Sequence, residues 1–351
     1  MLLEGIFAPI TTPFYPDERI YFRKLEANVD RYSRSLLAGI VVLGSTGEAV
    51  SLDDAESRDV LRTVAEAAAP EKVLIAGVGR ESVRVTLSFA EFAAELEYDA
   101  VLVRPPSYYA GQLPSAAILH YFRSIADRSP LPVMIYNIPK FVPYQIPIEI
   151  IAELAQHPNI VGIKDSSGNV DRIRSVVAAT ENAPRRAVPV TQIFEAVTAR
   201  MLSAPADPSS SFVPAFKLAS ATSVATAPPS SALKTRSKEV GFQVLSGSGG
   251  TILESLQAGA TGAIVAIATF APQACQEIYL AWKDHDLRIA AEKQQRIAAA
   301  EKRIVGELGL AGIKYACDFN GYFGGHPRAP ILAATAQEKE EVELLLKEIR
   351  N

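Results

Sequence analysis

A lysine closes a buried-looking apolar run in this 351-residue chain: Ile160-Val161-Gly162-Ile163 is followed by Lys164-Asp165-Ser166-Ser167. Stripping water from an ammonium costs several kcal/mol. Desolvation favours the neutral amine, the form that attacks a carbonyl carbon, so Lys164 is a candidate nucleophile. The competing explanation is an ion pair with Asp165, although sequential residues of a strand face opposite ways. A second apolar run ends in Tyr136-Asn137-Ile138-Pro139. A tyrosine in that position can relay protons or hydrogen-bond an oxyanion; the structural alternative is a core tyrosine with a satisfied hydroxyl. A third run leads into Gly44-Ser45-Thr46-Gly47-Glu48. Glycines flanking two hydroxyls allow a tight turn whose N–H groups, with Ser45 and Thr46, would suit a carboxylate. The alternative is a plain glycine-rich turn before a helix. Glu48 reads as a structural hydrogen-bond acceptor.

Taken together, these groups describe Schiff-base chemistry on a 2-oxo acid. Lys164 condenses with the keto group, the iminium withdraws electrons from an adjacent C–C bond, and Tyr136 moves the protons. That chemistry requires no metal and no organic cofactor.

Eight short apolar runs position these residues, at 5–10, 40–43, 73–76, 100–103, 133–136, 160–163, 242–245 and 263–267. Each is too short for a helix and apolar on both faces, as in a parallel sheet covered on both sides. Amphipathic stretches lie between them, such as 53–68, with Ser51 as its expected N-cap, and 115–126. Eight β units with intervening helices predict an α/β fold, a (β/α)8 TIM barrel, with catalytic groups at the C-terminal strand ends. A doubly wound sheet is the alternative, but no GxGxxG follows any run. Further helical patterns at 271–305, 309–319 and 336–350 predict a C-terminal helical extension.

The domain reading is therefore a barrel over 1–284 and an extension over 285–351, with a long insertion between helix 6 and strand 7. The insertion, 184–238, is rich in Ala, Ser, Pro and Thr and far longer than the usual barrel connection. Within it, Val188 to Met201 is expected to form a short strand and helix, because Ile193, Val197 and Met201 share helical spacing; the rest resembles a flexible loop. A lineage-specific insertion, a partner-binding flap and a gene-model error are the competing explanations, and an inserted surface loop is preferred.

Composition narrows the function classes. Hydrophobic residues make up 48% of the chain, the formal net charge is −4, and the sequence pI is about 5.7. That balance offers no basic field for nucleic acid or an anionic membrane, and no apolar stretch approaches the roughly 20 residues of a membrane span. Met1-Leu2-Leu3-Glu4 lacks the features of a secretory signal. The two cysteines, Cys275 and Cys317, are far apart and read as buried apolar fillers. The four histidines show no metal-ligand spacing. Glu301-Lys302-Arg303 and Lys339-Glu340-Glu341 read as solvated helix faces. The expectation is a cytoplasmic enzyme with a small-molecule substrate.

The three motifs resemble the signatures of the dihydrodipicolinate synthase / N-acetylneuraminate lyase family, over nearly the whole chain outside the insertion. The likeness runs from Thr11-Thr12-Pro13-Phe14 to Gly321-Tyr322-Phe323-Gly324-Gly325. It implies that Lys164 is the Schiff-base lysine and Tyr136 the proton-transfer tyrosine. Ser45 and Thr46 would be the hydroxyl pair that relays protons and holds the substrate carboxylate, with Gly44, Ser166 and Gly247 also at the substrate. Tyr108 and Tyr109 match a tyrosine pair of which one reaches across a subunit contact into the neighbouring site. Ile264 matches a residue whose backbone faces the substrate, and the family is commonly a homotetramer, a dimer of dimers.

Dihydrodipicolinate synthases usually carry an arginine two residues after the YNxP motif, where this chain has Phe141. A phenyl ring cannot replace a bidentate guanidinium. Other stretches, including Pro106-Ser107-Tyr108-Tyr109, are similar to 4-hydroxy-2-oxoglutarate aldolases and to aldolases of 2-keto-3-deoxy sugar acids. The expected activity is cleavage of a 4-hydroxy-2-oxo acid to pyruvate and an aldehyde. Two alternatives stand beside it: a 4-hydroxy-tetrahydrodipicolinate synthase joining pyruvate to aspartate semialdehyde, and a non-catalytic 2-oxo-acid-binding protein on the same scaffold.

Overall fold

The computed structural model describes residues 1–203 and 233–349. Its strands are β1 (Gly5–Pro9), β2 (Gly39–Val42), β3 (Val73–Gly77), β4 (Ala100–Val103), β5 (Val133–Asn137), β6 (Ile160–Asp165), β7 (Arg186–Val190), β8 (Arg236–Val240), β9 (Gln243–Ser246) and β10 (Gly262–Ile264). Eight of them form a closed parallel barrel in the order β1-β10-β9-β6-β5-β4-β3-β2. The (β/α)8 expectation holds, with β9 and β10 as its seventh and eighth strands.

The doubly apolar runs explain the closure. Phe7, Val41, Ile75, Leu102, Met134, Leu245 and Ile264 point inward and pack as one cluster inside the ring. Their strand neighbours Ile40, Val42, Leu74, Ala76, Val101, Val103, Ile135 and Ile163 point outward into the larger core beneath the helices. Two buried faces per strand are what a period of two requires when helices cover the outside. Each of the larger side chains among them, Val, Leu, Ile, Phe or Met, contributes about 1.5–3 kcal/mol relative to an exposed one.

The helices are α1 (Phe22–Ser33), α2 (Asp54–Ala67), α3 (Val83–Glu95), α4 (Ser115–Ala126), α5 (Ile148–Leu154), α6 (Val170–Ala179), α7 (Ala199–Ser203), α8 (Ile252–Gln257), α9 (Pro272–Lys283), α10 (Leu287–Ala300), α11 (Leu310–Phe319) and α12 (Ala336–Leu346). The N-cap of α2 is Asp53 rather than Ser51: Asp53 accepts from Glu56 N at 2.8 Å while Glu56 returns a bond to Asp53 N, a capping box. The pattern expected to run over 271–305 is divided at Asp284-His285-Asp286, where His285 takes φ 62°, and Asp286 caps α10. A π-helical turn, Glu301–Leu308, then leads into α11. The last helices close on the barrel through Tyr322, stacked on Tyr32 at 4.5 Å, and Asn320, which donates to Phe270 O at 2.8 Å.

Both ends of the insertion are ordered. β7 and β8 pair as an antiparallel ribbon. Val188, Val190 and Val240 from this ribbon pack with Leu2. The expected short strand and helix are present as β7 and α7, but Ile193 is exposed and lies outside the helix. Arg186 donates to Ile160 O at 2.8 Å, Ala199 N to Asp99 Oδ1 at 2.8 Å and Arg200 to Ala68 O at 2.9 Å. These partners lie at or before the N-terminal ends of β6, β4 and β3, the face where barrels build stability rather than catalysis. The loop expected in the middle of the insertion lies outside the described residues.

Candidate active site

β5 and β6 set the centre of the site. They are neighbours in register, with Tyr136 opposite Lys164 and Asn137 opposite Asp165. Alternation sends the first pair inward and the second outward. Tyr136 and Lys164 are 5% and 4% exposed, and Lys164 Nζ lies 4.2 Å from the centroid of the tyrosine ring. The outward carboxylate is fully engaged: Asp165 accepts from Arg172 Nε at 2.8 Å, Asn137 Nδ2 at 3.0 Å and Ser167 N at 2.9 Å. Asp165 is therefore paired with Arg172, on α6, and not with Lys164. Lys164 has no ion pair among the described residues. Asn137 also accepts from Ile146 N, which ties the loop after β5 to the same knot.

The turn after β2 is strained in an unforeseen way. Its left-handed residues are Leu43 (φ 57°) and Glu48 (φ 54°), neither of them glycine. Such conformations cost on the order of 1–3 kcal/mol each and gather at functional sites. Gly47 N and Glu48 N are spent on Gly44 O and Ser45 O, both at 3.1 Å. The turn is thus not a nest of every N–H, since two of its amides are already bonded. Glu48 is structural, as expected, but its partner comes from far along the chain. Its Oε1 lies 2.5 Å from Lys314 Nζ on α11, and its Oε2 accepts from Arg328 N at 2.9 Å. Lys314 also donates to Thr12 O and His326 O, and burial lowers its pKa. Thr12 Oγ1 donates to Gly47 O at 2.7 Å. One buried ammonium from the C-terminal extension thereby anchors the hydroxyl turn.

A cavity of about 560 Å³ opens at the C-terminal ends of β2 to β5. Gly44, Ser45 and Tyr136 line it, with Arg104, Phe141 and Leu310. Lys164 is not on its wall; the amine lies over the ring of Tyr136, which is. Thr46 is buried and not on the wall, and Ile264 belongs to the inner cluster with Tyr136. Ser166 and Gly247 meet directly: a Cβ at Gly247 would stand 1.9 Å from Ser166 Oγ, so only glycine fits there. Tyr108 and Tyr109 pack edge to face with centroids 5.0 Å apart but are 81% and 60% exposed, away from this chain's own cavity.

The sequence reading missed Arg104, Lys314 and the burial of Glu301. Arg104 follows β4 directly, the same signal that drew attention to Lys164. Nothing local marks Lys314, whose partner is 266 positions away in the sequence. Glu301, expected on a solvated face, has a buried carboxylate: Oε1 accepts from Gly249 N at 3.0 Å and Oε2 is buried without a partner among the described residues. Burial raises its pKa to about 7. Cys275 and Cys317 are buried free thiols. Among the described residues no cluster of His, Cys, Asp or Glu is placed to hold a metal ion, and no helix is long and apolar enough to cross a membrane.

Residues 2–186 and 224–349 match the model of the dihydrodipicolinate synthetase family. The chain belongs to this family. The unmatched stretch falls inside the insertion. A probable mitochondrial 4-hydroxy-2-oxoglutarate aldolase of Emericella nidulans is 29% identical over 96% of this chain and 92% of its own length. An L-threo-3-deoxy-hexylosonate aldolase of Hypocrea jecorina is 29% identical over 93% and 90%. A 4-hydroxy-tetrahydrodipicolinate synthase of Acidiphilium cryptum is 28% identical over 95% and 95%. In shape the chain follows YagE, a family member from E. coli K12 solved with pyruvate, at a TM-score of 0.78, 23% identity and 99% coverage of both chains. As a member of the dihydrodipicolinate synthetase family, the chain is a carbon–carbon lyase of the aldolase kind.

Proposed function

We propose that this family member is a class I aldolase that cleaves a 4-hydroxy-2-oxo acid to pyruvate and an aldehyde. The Lys164 amine adds to C2 of the substrate, and loss of water leaves an iminium. Tyr136 takes the proton of the C4 hydroxyl as the C3–C4 bond breaks. The C4 oxygen keeps its carbon as the departing aldehyde, and the bonding pair moves into an enamine conjugated with the nitrogen. Protonation at C3 and hydrolysis then release pyruvate and the free amine. Ser45 and Thr46 hold the C1 carboxylate and relay protons, Gly44, Ser166 and Gly247 shape the wall, and the Ile264 backbone faces the substrate.

The observation that carries this reading is an amine without an ion pair among the described residues, set beside a phenol on the adjacent strand, 4.2 Å from Nζ to the ring centroid. The names of two relatives support the cleavage direction. Condensation of pyruvate with aspartate semialdehyde is the second reading, favoured by a relative of that name. Phe141 on the cavity wall counts against it, because two residues after Pro139 the chain carries a phenyl ring and not a guanidinium.

The test is pyruvate release over a panel containing 4-hydroxy-2-oxoglutarate, 2-keto-3-deoxy sugar acids and N-acetylneuraminate, with pyruvate plus aspartate semialdehyde run as a synthesis. Turnover of a 4-hydroxy-2-oxo acid supports the proposal; turnover of the last pair alone refutes it. We further propose a cytoplasmic homotetramer in which Tyr108 or Tyr109 enters the neighbouring site. The exposure of both rings supports that role, and sedimentation velocity and cell fractionation test the assembly and the location.

A further inference from the structure

β4 delivers a charged group to the cavity that the reaction above leaves unused. Along this strand Val101 and Val103 pack outward and Leu102 inward. The same period turns Arg104 toward the barrel mouth, and it lines the cavity with Ser45, Tyr136 and Phe141. Its stem crosses Gly79, where a Cβ would come within 2.5 Å of Arg104 N and 2.8 Å of its Cγ. Position 79 has to stay without a side chain for the arginine to lie as it does.

One side of the guanidinium is committed. Nη1 donates to Glu81 Oε1 at 3.0 Å and to Pro105 O at 3.1 Å. Glu81 also accepts from Ser107 N and Tyr108 N, so the carboxylate that orients the arginine is fixed to backbone. Nε and Nη2 have no partner among the described residues. That is the edge that takes a carboxylate through two parallel hydrogen bonds.

The other charges on the cavity wall are otherwise occupied. Glu48 is spent on Lys314, Arg80 lies over the Phe89 ring at 4.2 Å and donates to Ser57 Oγ and Gly79 O, both at 3.3 Å, and Asp54 is a carboxylate exposed to solvent.

β6, β5 and β4 are consecutive around the ring. Lys164, Tyr136 and Arg104 therefore follow one another along the mouth in the order of C2, the C4 hydroxyl and whatever lies beyond C4. We propose that Arg104 binds a second, distal carboxylate, making the substrate a 4-hydroxy-2-oxo dicarboxylate rather than an acid with a neutral polyol tail. This rests on the Schiff-base reading for the placement of C2, and the test separates the two.

Binding of 2-oxoglutarate and of 2-oxopentanoate, its neutral-ended analogue of equal length, is measured by calorimetry on the full chain. Wild type is expected to prefer the dicarboxylate, and Arg104→Met to lower that preference about 100-fold, the scale of losing charge-assisted hydrogen bonds. Arg104→Lys restores part of it, as a point charge without the fork. Absence of a preference in wild type overturns the proposal, as does equal weakening of both ligands. Glu81→Gln keeps the guanidinium; a collapse there as complete as in Arg104→Met would trace the effect to the 104–108 loop and also overturn it. Borohydride trapping with the same two acids reports separately on the amine. A preference without any Lys164 adduct sinks the Schiff-base reading alone, and an adduct without a preference sinks the role of Arg104.

Discussion

Removing the Lys314 ammonium should damage both the fold and the carboxylate turn. In Lys314→Met, Glu48 stays buried at 1% exposure with its cation gone and only the Arg328 amide left as a partner. Breaking a buried pair on one side costs about 3–5 kcal/mol, because a charge is stranded. Glu48→Gln should cost less, since Lys314 keeps the carbonyls of Thr12 and His326. With both changes neither charge is present, so the double variant should be less destabilised than the sum of the singles, with a coupling of about 2 kcal/mol. Urea unfolding followed by circular dichroism gives the four stabilities. The Ser45-Thr46 turn is held through Glu48 and Thr12, so the singles should also raise KM for the substrate more than they lower kcat. Additive losses would refute the reasoning, as would an unchanged KM in a destabilised Lys314→Met.

Tyr136→Phe keeps the ring beneath Lys164 and deletes only the hydroxyl; cleavage should slow by about 10²–10⁴-fold while borohydride still traps pyruvate. A rate near wild type would remove the tyrosine from proton transfer. Glu301 has its pKa raised from 4.5 to about 7 by burial. The folded state therefore holds its proton more tightly than the unfolded chain, and the stability from this group, complete below pH 4.5, falls as pH rises toward 7. Glu301→Gln should abolish that loss and gain on the order of 3 kcal/mol over wild type between pH 5 and 8. Parallel stability profiles for the two proteins across that range would contradict it. In the proposed tetramer, replacing Tyr108 and Tyr109 by Phe one at a time should slow turnover for the one that crosses, with no change in sedimentation. Two silent substitutions would leave the neighbouring site without that hydroxyl.

Periodicity was enough to locate the barrel, because eight apolar runs of strand length have one economical closure when helices cover them. The same logic identified Lys164: a charge ending a doubly buried strand must be compensated or used, and Arg172 compensates its neighbour instead. What local pattern could not reveal was long-range pairing. Lys314 meets Glu48, and Glu301 meets Gly249, only after the extension folds back on the barrel. Leu43 and Glu48 carry left-handed backbone that a glycine-based reading assigns to the wrong residues. The insertion resembled a loop by composition, yet Arg186 and Arg200 tie its ends to the barrel floor through carbonyls that sequence alone does not mark.

The central claim is that Lys164 forms the covalent link to substrate. Incubating the protein with pyruvate, reducing with borohydride and mapping the product by peptide mass spectrometry measures it directly. The account predicts a reduced pyruvyl adduct on the peptide carrying Lys164, and none in Lys164→Met. An unmodified Lys164, or an adduct on another lysine, would contradict it.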